Sequence, residues 1–228
     1  MNLGRKFRKN PDKARNERAN VNGGECMNEK IVVAAMRVFE EQHGFARTKD
    51  FIEAGVSPYY IKKLESAGEI ERVKQGIYRQ SGQFNEPPHE MVEVSKLVPK
   101  GVICLLSALS FYELTTYNPW EYQIAIHRGG KKPKLPDYPP IKVIYLADAQ
   151  YKIGIDEVYI DGSAVKIYDR EKTICDMVRY REKIGIDLMK EGLRNYLQSP
   201  HKNITRLVSY ADKLRIRTVL QKYLEVLI

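Results

Sequence analysis

The sequence predicts a mixed α/β (α+β) chain in two parts. A small helical module closed by a β-hairpin comes first, then a larger mixed α/β part with a helical C-terminal end. Three observations carry this. Apolar residues recur at helical spacing from Glu29 to Gly68, and a short alternating stretch with a glycine turn follows. Two prolines and a glycine then interrupt the chain at "SGQFNEPPHE". Beyond them helices and strands mix before the chain closes on a run of helical segments. A length of 228 residues leaves room for two modest cores.

Taken in order, residues 1–26 hold almost no large apolar side chains, so they cannot bury enough surface to offset their ordering entropy. Two readings stay open for them: a disordered basic tail that touches phosphates, or a stretch lying before a true start at Met27. Residues 27–80 form the first module. Ile31, Val32, Ala35, Met36 and Phe39 share one helical face, and the pattern stops at Gly44. "ARTKDFIEAG" starts a second short helix near Thr48 with Phe51 and Ile52 inward. "AGVS" has the length and glycine of the turn joining two helices of a helix-turn-helix. Ser57 is placed to cap the next helix, with Pro58 at its first position. "IERV" and "GIYRQ" alternate like a hairpin around Gly76.

Residues 81–90 read as a linker and 91–228 as the second part. "EMVEVSKLV" and "GVICLLSALSFYEL" read as helices, and "EYQIAIHRG" and "IKVIYLAD" as strands. "DEVYIDGSAVKIYD" is a hairpin turning at Asp161-Gly162. "REKTICDMVRYREKIG", "IDLMKEGLRNYLQS", "NITRLVSYADKLR" and "RTVLQKYLEVLI" are helical.

The helix from Pro58 is phased by its apolar residues. Tyr60, Ile61, Leu64 and Ala67 share a face, which turns Tyr59, Lys62, Lys63 and Ser66 outward. A helix-turn-helix lays such a face in the major groove. With Ser57 at its start and Arg72, Lys74, Gln75 and Arg79 on the hairpin, the unit reads as a winged helix-turn-helix for DNA. The plain alternative is a solvated lysine face on a winged helix that binds protein.

Charge alone does not settle this. The chain carries +9, which favours a polyanionic partner, yet residues 27–80 hold nine basic against eight acidic residues. The DNA reading therefore rests on where the charges sit. Three widely spaced cysteines (Cys26, Cys104, Cys175) point to reduced thiols, the last two in apolar runs. No stretch is apolar enough to span a membrane and no signal-peptide core opens the chain, so a cytoplasmic protein is expected.

Enzyme chemistry is not legible. The four histidines and three cysteines lack metal-ligand spacing, so neither metal nor cofactor is expected. No acid is followed two positions later by lysine, as a restriction-type nuclease would need. In "GSAVKIYDRE" the gap between Gly162-Ser163 and Asp169/Glu171 is too short for the helix a nucleotidyltransferase places there. Asp169 reads instead as a helix cap. No phosphate-cradling loop occurs.

"LESAGEIERVKQGIYR" resembles the end of the winged helix of the AbiEi antitoxins, the antitoxin half of type IV (abortive-infection) toxin–antitoxin pairs. The resemblance continues in "VPKGVICLLSALSFYELT", in "VKIYDREKTICDMVRYREKIGIDLMKEGLRNYL" and in "LVSYADKLRIRTVLQKYLEVL". It covers most of residues 28–228. It implies an autorepressor whose first domain binds inverted-repeat operator DNA and whose second neutralises a nucleotidyltransferase-like toxin. It also draws attention to Thr173, Asp176 and Arg179 as partner contacts, although Asp176 and Arg179, three apart on one helix, also suit a pair with each other. Lys131, Lys132 and Lys134, in a loop between strands, suit an acidic partner, a wider DNA footprint, or plain solvation. A stand-alone winged-helix regulator whose second domain senses or dimerises is the competing reading. A nucleic-acid-processing enzyme is the third.

Overall fold

The computed structural model describes residues 29–81 and 89–227, so the tail, Cys26, Met27 and most of the linker lie outside the described residues. The class is mixed α/β, as expected. The first part runs α1 (Glu29–Glu41), β1 (Phe45–Arg47), α2 (Thr48–Glu53), α3 (Pro58–Ser66), β2 (Ile70–Lys74) and β3 (Ile77–Gln80). Its strands form an antiparallel sheet in the order β1-β3-β2. Helices α1, α2 and α3 cover that sheet through Ala35, Phe39, Phe51, Ile61 and Leu64, all buried with Ile70 and Tyr78. Phe51 sits at the centre, edge-on to Phe39 at 5.3 Å and to Tyr78 at 5.8 Å.

Two inward assignments are corrected. Ile52 is 53% exposed, because its neighbour Phe51 claims the core-facing side of a one-and-a-half-turn helix. Ala67 is exposed because it is the residue at which α3 ends, ahead of Gly68 at φ 74°. Tyr60 is half-buried, and Ile61 and Leu64 are buried as phased.

The second part runs α4 (Glu90–Leu97), β4 (Val102–Ile103), α5 (Leu105–Phe111), β5 (Tyr122–His127), β6 (Ile141–Leu146), α6 (Asp148–Lys152), β7 (Ile155–Ile160), β8 (Ser163–Tyr168), α7 (Arg170–Arg179), α8 (Arg181–Ile184), α9 (Ile186–Gln198), α10 (Ile204–Lys213) and α11 (Arg217–Leu227). Its sheet has the order β6-β5-β4-β8-β7. β5 runs parallel to β6 and β4 parallel to β8, while the other two pairings are antiparallel. The β7–β8 hairpin turns at Asp161 (φ 48°) and Gly162 (φ 72°), the two positive dihedrals of a tight two-residue turn.

The expected helix over "GVICLLSALSFYEL" is divided. Val102 and Ile103 form a strand between β5 and β8, and the helix begins only at Leu105. A fully apolar run shows no period, so its β-branched start was invisible against the helix behind it. The helix expected over "REKTICDMVRYREKIG" is also broken, at Tyr180, into α7 and α8. Helix α7 is buried on every side from Glu171 to Val178 and shares a core with α5, α9 and α10.

The two parts share packing. Phe45, Val73 and Ile77 of the first join Met91, Val92, Val94 and Leu97 of α4 in one apolar cluster.

Candidate nucleic-acid interface

Helix α3 is the second helix of the helix-turn-helix. The turn before it is fixed by Gly55 at φ 82° and by Val56, whose N–H donates to the Phe51 carbonyl at 2.8 Å. Val56 is buried and anchors the start of α3. Ser57 occupies the N-cap position with extended backbone, and its carbonyl accepts from the Tyr60 and Ile61 amides at 3.0 and 3.1 Å. Its hydroxyl makes no capping bond and faces solvent.

The outward face is close to the expected one. Tyr59 is 61% exposed with its ring edge-on to Tyr60 at 5.2 Å. Lys62 and Ser66 are exposed, and Lys63 is half-buried. The Ser66 hydroxyl donates to the Lys62 carbonyl at 2.9 Å, which holds it against the helix. Arg72 and Gln75 on the hairpin are exposed, and the tip is pinned where the Thr48 amide donates to the Gly76 carbonyl at 3.0 Å.

Two hairpin cations are turned elsewhere. The Lys74 ammonium donates to the Leu97 carbonyl at the end of α4, 3.1 Å away, and burial lowers its pKa. Arg79 donates to Glu71 at 2.6 Å and lies 3.6 Å from Glu93, a buried carboxylate of α4. The Glu71 hydrogen bond is the main reason its pKa is raised. Burial in turn raises the Glu93 pKa, and Arg79 opposes that only in part. Lys74 and Arg79 therefore clamp the back of the hairpin to α4. The sequence pattern shows only that they leave their own module's core, not that a second part covers them.

Candidate residues of the second part also separate. Lys131, Lys132 and Lys134 are exposed in the loop between β5 and β6. Thr173 and Asp176 are fully buried, so a partner docking on the folded surface does not reach them. Thr173 donates to the Tyr168 carbonyl at 3.3 Å. Asp176 pairs at 2.5 Å with Lys172, four residues earlier, and not with Arg179 as its spacing suggested. The Lys172 ammonium lies over the Tyr168 ring, 4.1 Å from its centre. Arg179 donates to the Leu214 carbonyl at the end of α10.

Nearby, the Glu171 carboxylate accepts from the Tyr196 hydroxyl at 2.8 Å and the Asn203 amide at 3.1 Å, tying α9 and α10 to α7. These polar groups are internal fastenings. Cys104 and Cys175 are buried free thiols, and burial pushes the Cys175 thiol up to about 12. Among the described residues no three His, Cys, Asp or Glu side chains are grouped to hold a metal ion, and no helix is long and apolar enough to cross a membrane.

Residues 34–79 match the model of the family described as "Transcriptional regulator, AbiEi antitoxin". The match begins inside α1, takes in β1, α2, α3 and β2, and ends in β3 at Arg79. No curated protein matches the chain. The resemblance read from the sequence thus holds over residues 34–79, which are similar to the AbiEi transcriptional regulators and antitoxins. That family is one of regulators rather than of enzymes.

Proposed function

We propose that this chain is the antitoxin of a type IV pair, which represses its own operon and neutralises a nucleotidyltransferase-like toxin without catalysis of its own. In this reading residues 27–80 bind inverted-repeat operator DNA, 81–90 link, and 91–228 meet the toxin in the cytoplasm. The observation that carries it is the solvent-facing side of α3, with Tyr59 and Lys62 exposed beside Arg72 and Gln75 at the hairpin, in a module matched to the family. Ser57, Tyr59, Lys62, Lys63 and Ser66 enter the major groove, and Arg72 and Gln75 meet the flanking backbone. Lys74 and Arg79 are left out of the contact, since α4 already holds them.

The test is a gel shift on the inverted repeats upstream of the gene. Lys62→Ala with Lys63→Ala weakens binding by roughly 1–3 kcal/mol for each lost base contact. Lost phosphate contacts instead flatten the salt dependence by about 0.9 in log–log slope apiece. Lys74→Ala leaves the slope unchanged. Unaltered affinity in a folded double-lysine variant removes α3 from the recognition role.

A further inference from the structure

Strand β6 is an edge of the larger sheet, with β5 as its neighbour and no strand on the other side among the described residues. Its parallel register sets which groups are spent. The Tyr122 amide donates to Pro140 and the Arg128 amide to Leu146, so the main-chain groups of Ile141, Val143 and Tyr145 face outward. The opposite edge strand, β7, carries Asp156 and Glu157, charges that discourage pairing. β6 reads Ile-Lys-Val-Ile-Tyr-Leu, and its single charge, Lys142, is engaged by Glu121 at 2.8 Å. It is an unguarded edge of strong strand formers.

A groove of about 600 Å³ runs beside this edge. Leu105, Leu106, Ile144 and Ile184 line it. Trp120 stands at its rim, 72% exposed. Arg128 and Lys183 are exposed at the groove and have no carboxylate partner among the described residues. An exposed tryptophan and arginine beside an apolar floor make the composition of an energetic centre for protein binding.

We propose that β6 and this groove take an extended segment of a partner protein, one alternating acidic and apolar residues, added as a further strand. The outward N–H and C=O ladder gives the main-chain bonds, the apolar floor takes alternate side chains, and Arg128 and Lys183 meet the carboxylates. A second copy of this chain fits poorly, because pairing β6 on β6 brings four unneutralised cations together. Single-stranded nucleic acid would use the aromatic and basic rim but leave the outward ladder unpaired. That the partner is the toxin rests on the antitoxin reading; the site itself does not.

The chain's one tryptophan reports occupancy directly. The full-length protein is titrated with a fluorescein-labelled peptide of about ten residues alternating Glu with Val or Thr, its lysine counterpart, and oligo-dT. The acidic peptide alone is expected to bind, raising anisotropy and shielding Trp120 from acrylamide. Arg128→Glu with Lys183→Glu, and separately Val143→Pro at an outward-facing position, each weaken it about tenfold or more with melting unchanged. Binding that survives both variants overturns the proposal, as does oligo-dT competing for the groove. A wild-type dimer in sedimentation that Val143→Pro splits also overturns it, in favour of a second copy. If the variants do not fold, acrylamide quenching of the wild type decides: no shielding by the acidic peptide refutes the site. A gel shift on upstream DNA runs in parallel. Its failure with intact peptide binding counts against the regulator reading and not against the groove.

Discussion

Asp176→Asn is expected to cost more stability than any exposed substitution in this chain, although it removes a single charge. The Lys172 and Asp176 side chains are 0% and 3% exposed, with nitrogen and oxygen 2.5 Å apart in the most enclosed helix of the fold. Removing one partner strands the other charge away from water, at about 3–5 kcal/mol. For a chain of this size, that lowers the melting temperature by about 6–20 °C. Removing both behaves differently. Lys172→Met with Asp176→Leu is expected to be neutral or more stable by about 1–4 kcal/mol, since neither charge is then desolvated. Burial raises the Asp176 pKa against the opposing pull of Lys172. A raised carboxyl pKa contributes stability that is present below the unfolded value of about 3.9 and lost as pH rises through the folded one. The double variant's advantage therefore grows from acid pH towards neutrality. Thermal melts followed by circular dichroism at several pH values check this. An Asp176→Asn protein within about 1 kcal/mol of wild type, or a double variant as weak as the single, refutes the reasoning.

The seam between the two parts supplies the remaining expectations. Because burial raises the Glu93 pKa, wild type gains stability at this site as pH falls from neutrality, and Glu93→Gln removes that gain, as paired melts at pH 7 and pH 5 would show. Gly162→Ala forces a left-handed alanine whose Cβ would sit 2.5 Å from the His43 ring, so a loss of about 1–2 kcal/mol or more follows. Adding His43→Ala recovers the steric share but not the backbone share, which a double-mutant cycle in urea separates.

The winged helix was legible because its signals are local. Gly44, Gly55, Ser57-Pro58, Gly68 and Gly76 punctuate it, and the apolar period of α3 selects its outward face without reference to the rest of the chain. The Asp161-Gly162 hairpin was legible for the same reason. What the sequence hid depends on contacts between distant segments. Val102-Ile103 becomes a strand because β5 and β8 flank it. Lys74 and Arg79 turn back to α4 because a second part lies behind the hairpin. Thr173 and Asp176 look like ordinary polar helix residues until α5, α9 and α10 close over them. The groove at Trp120 is assembled from α5, β6, α8 and the loop before β5, and no spacing within any one of them announces it.

The apolar cluster held in common by Phe45, Ile77, Met91 and Val92 makes each part's ligands a property of the other. If those side chains separate only when both parts open, the chain unfolds in a single step, and whatever binds one end draws the population of the whole towards the native state. On the proposed reading, operator DNA at a hundred times its dissociation constant would then contribute about 2.7 kcal/mol everywhere, as far away as the packing of α10 on α7. Amides in α10 would exchange more slowly with solvent when DNA sits on α3, without any change in their own contacts.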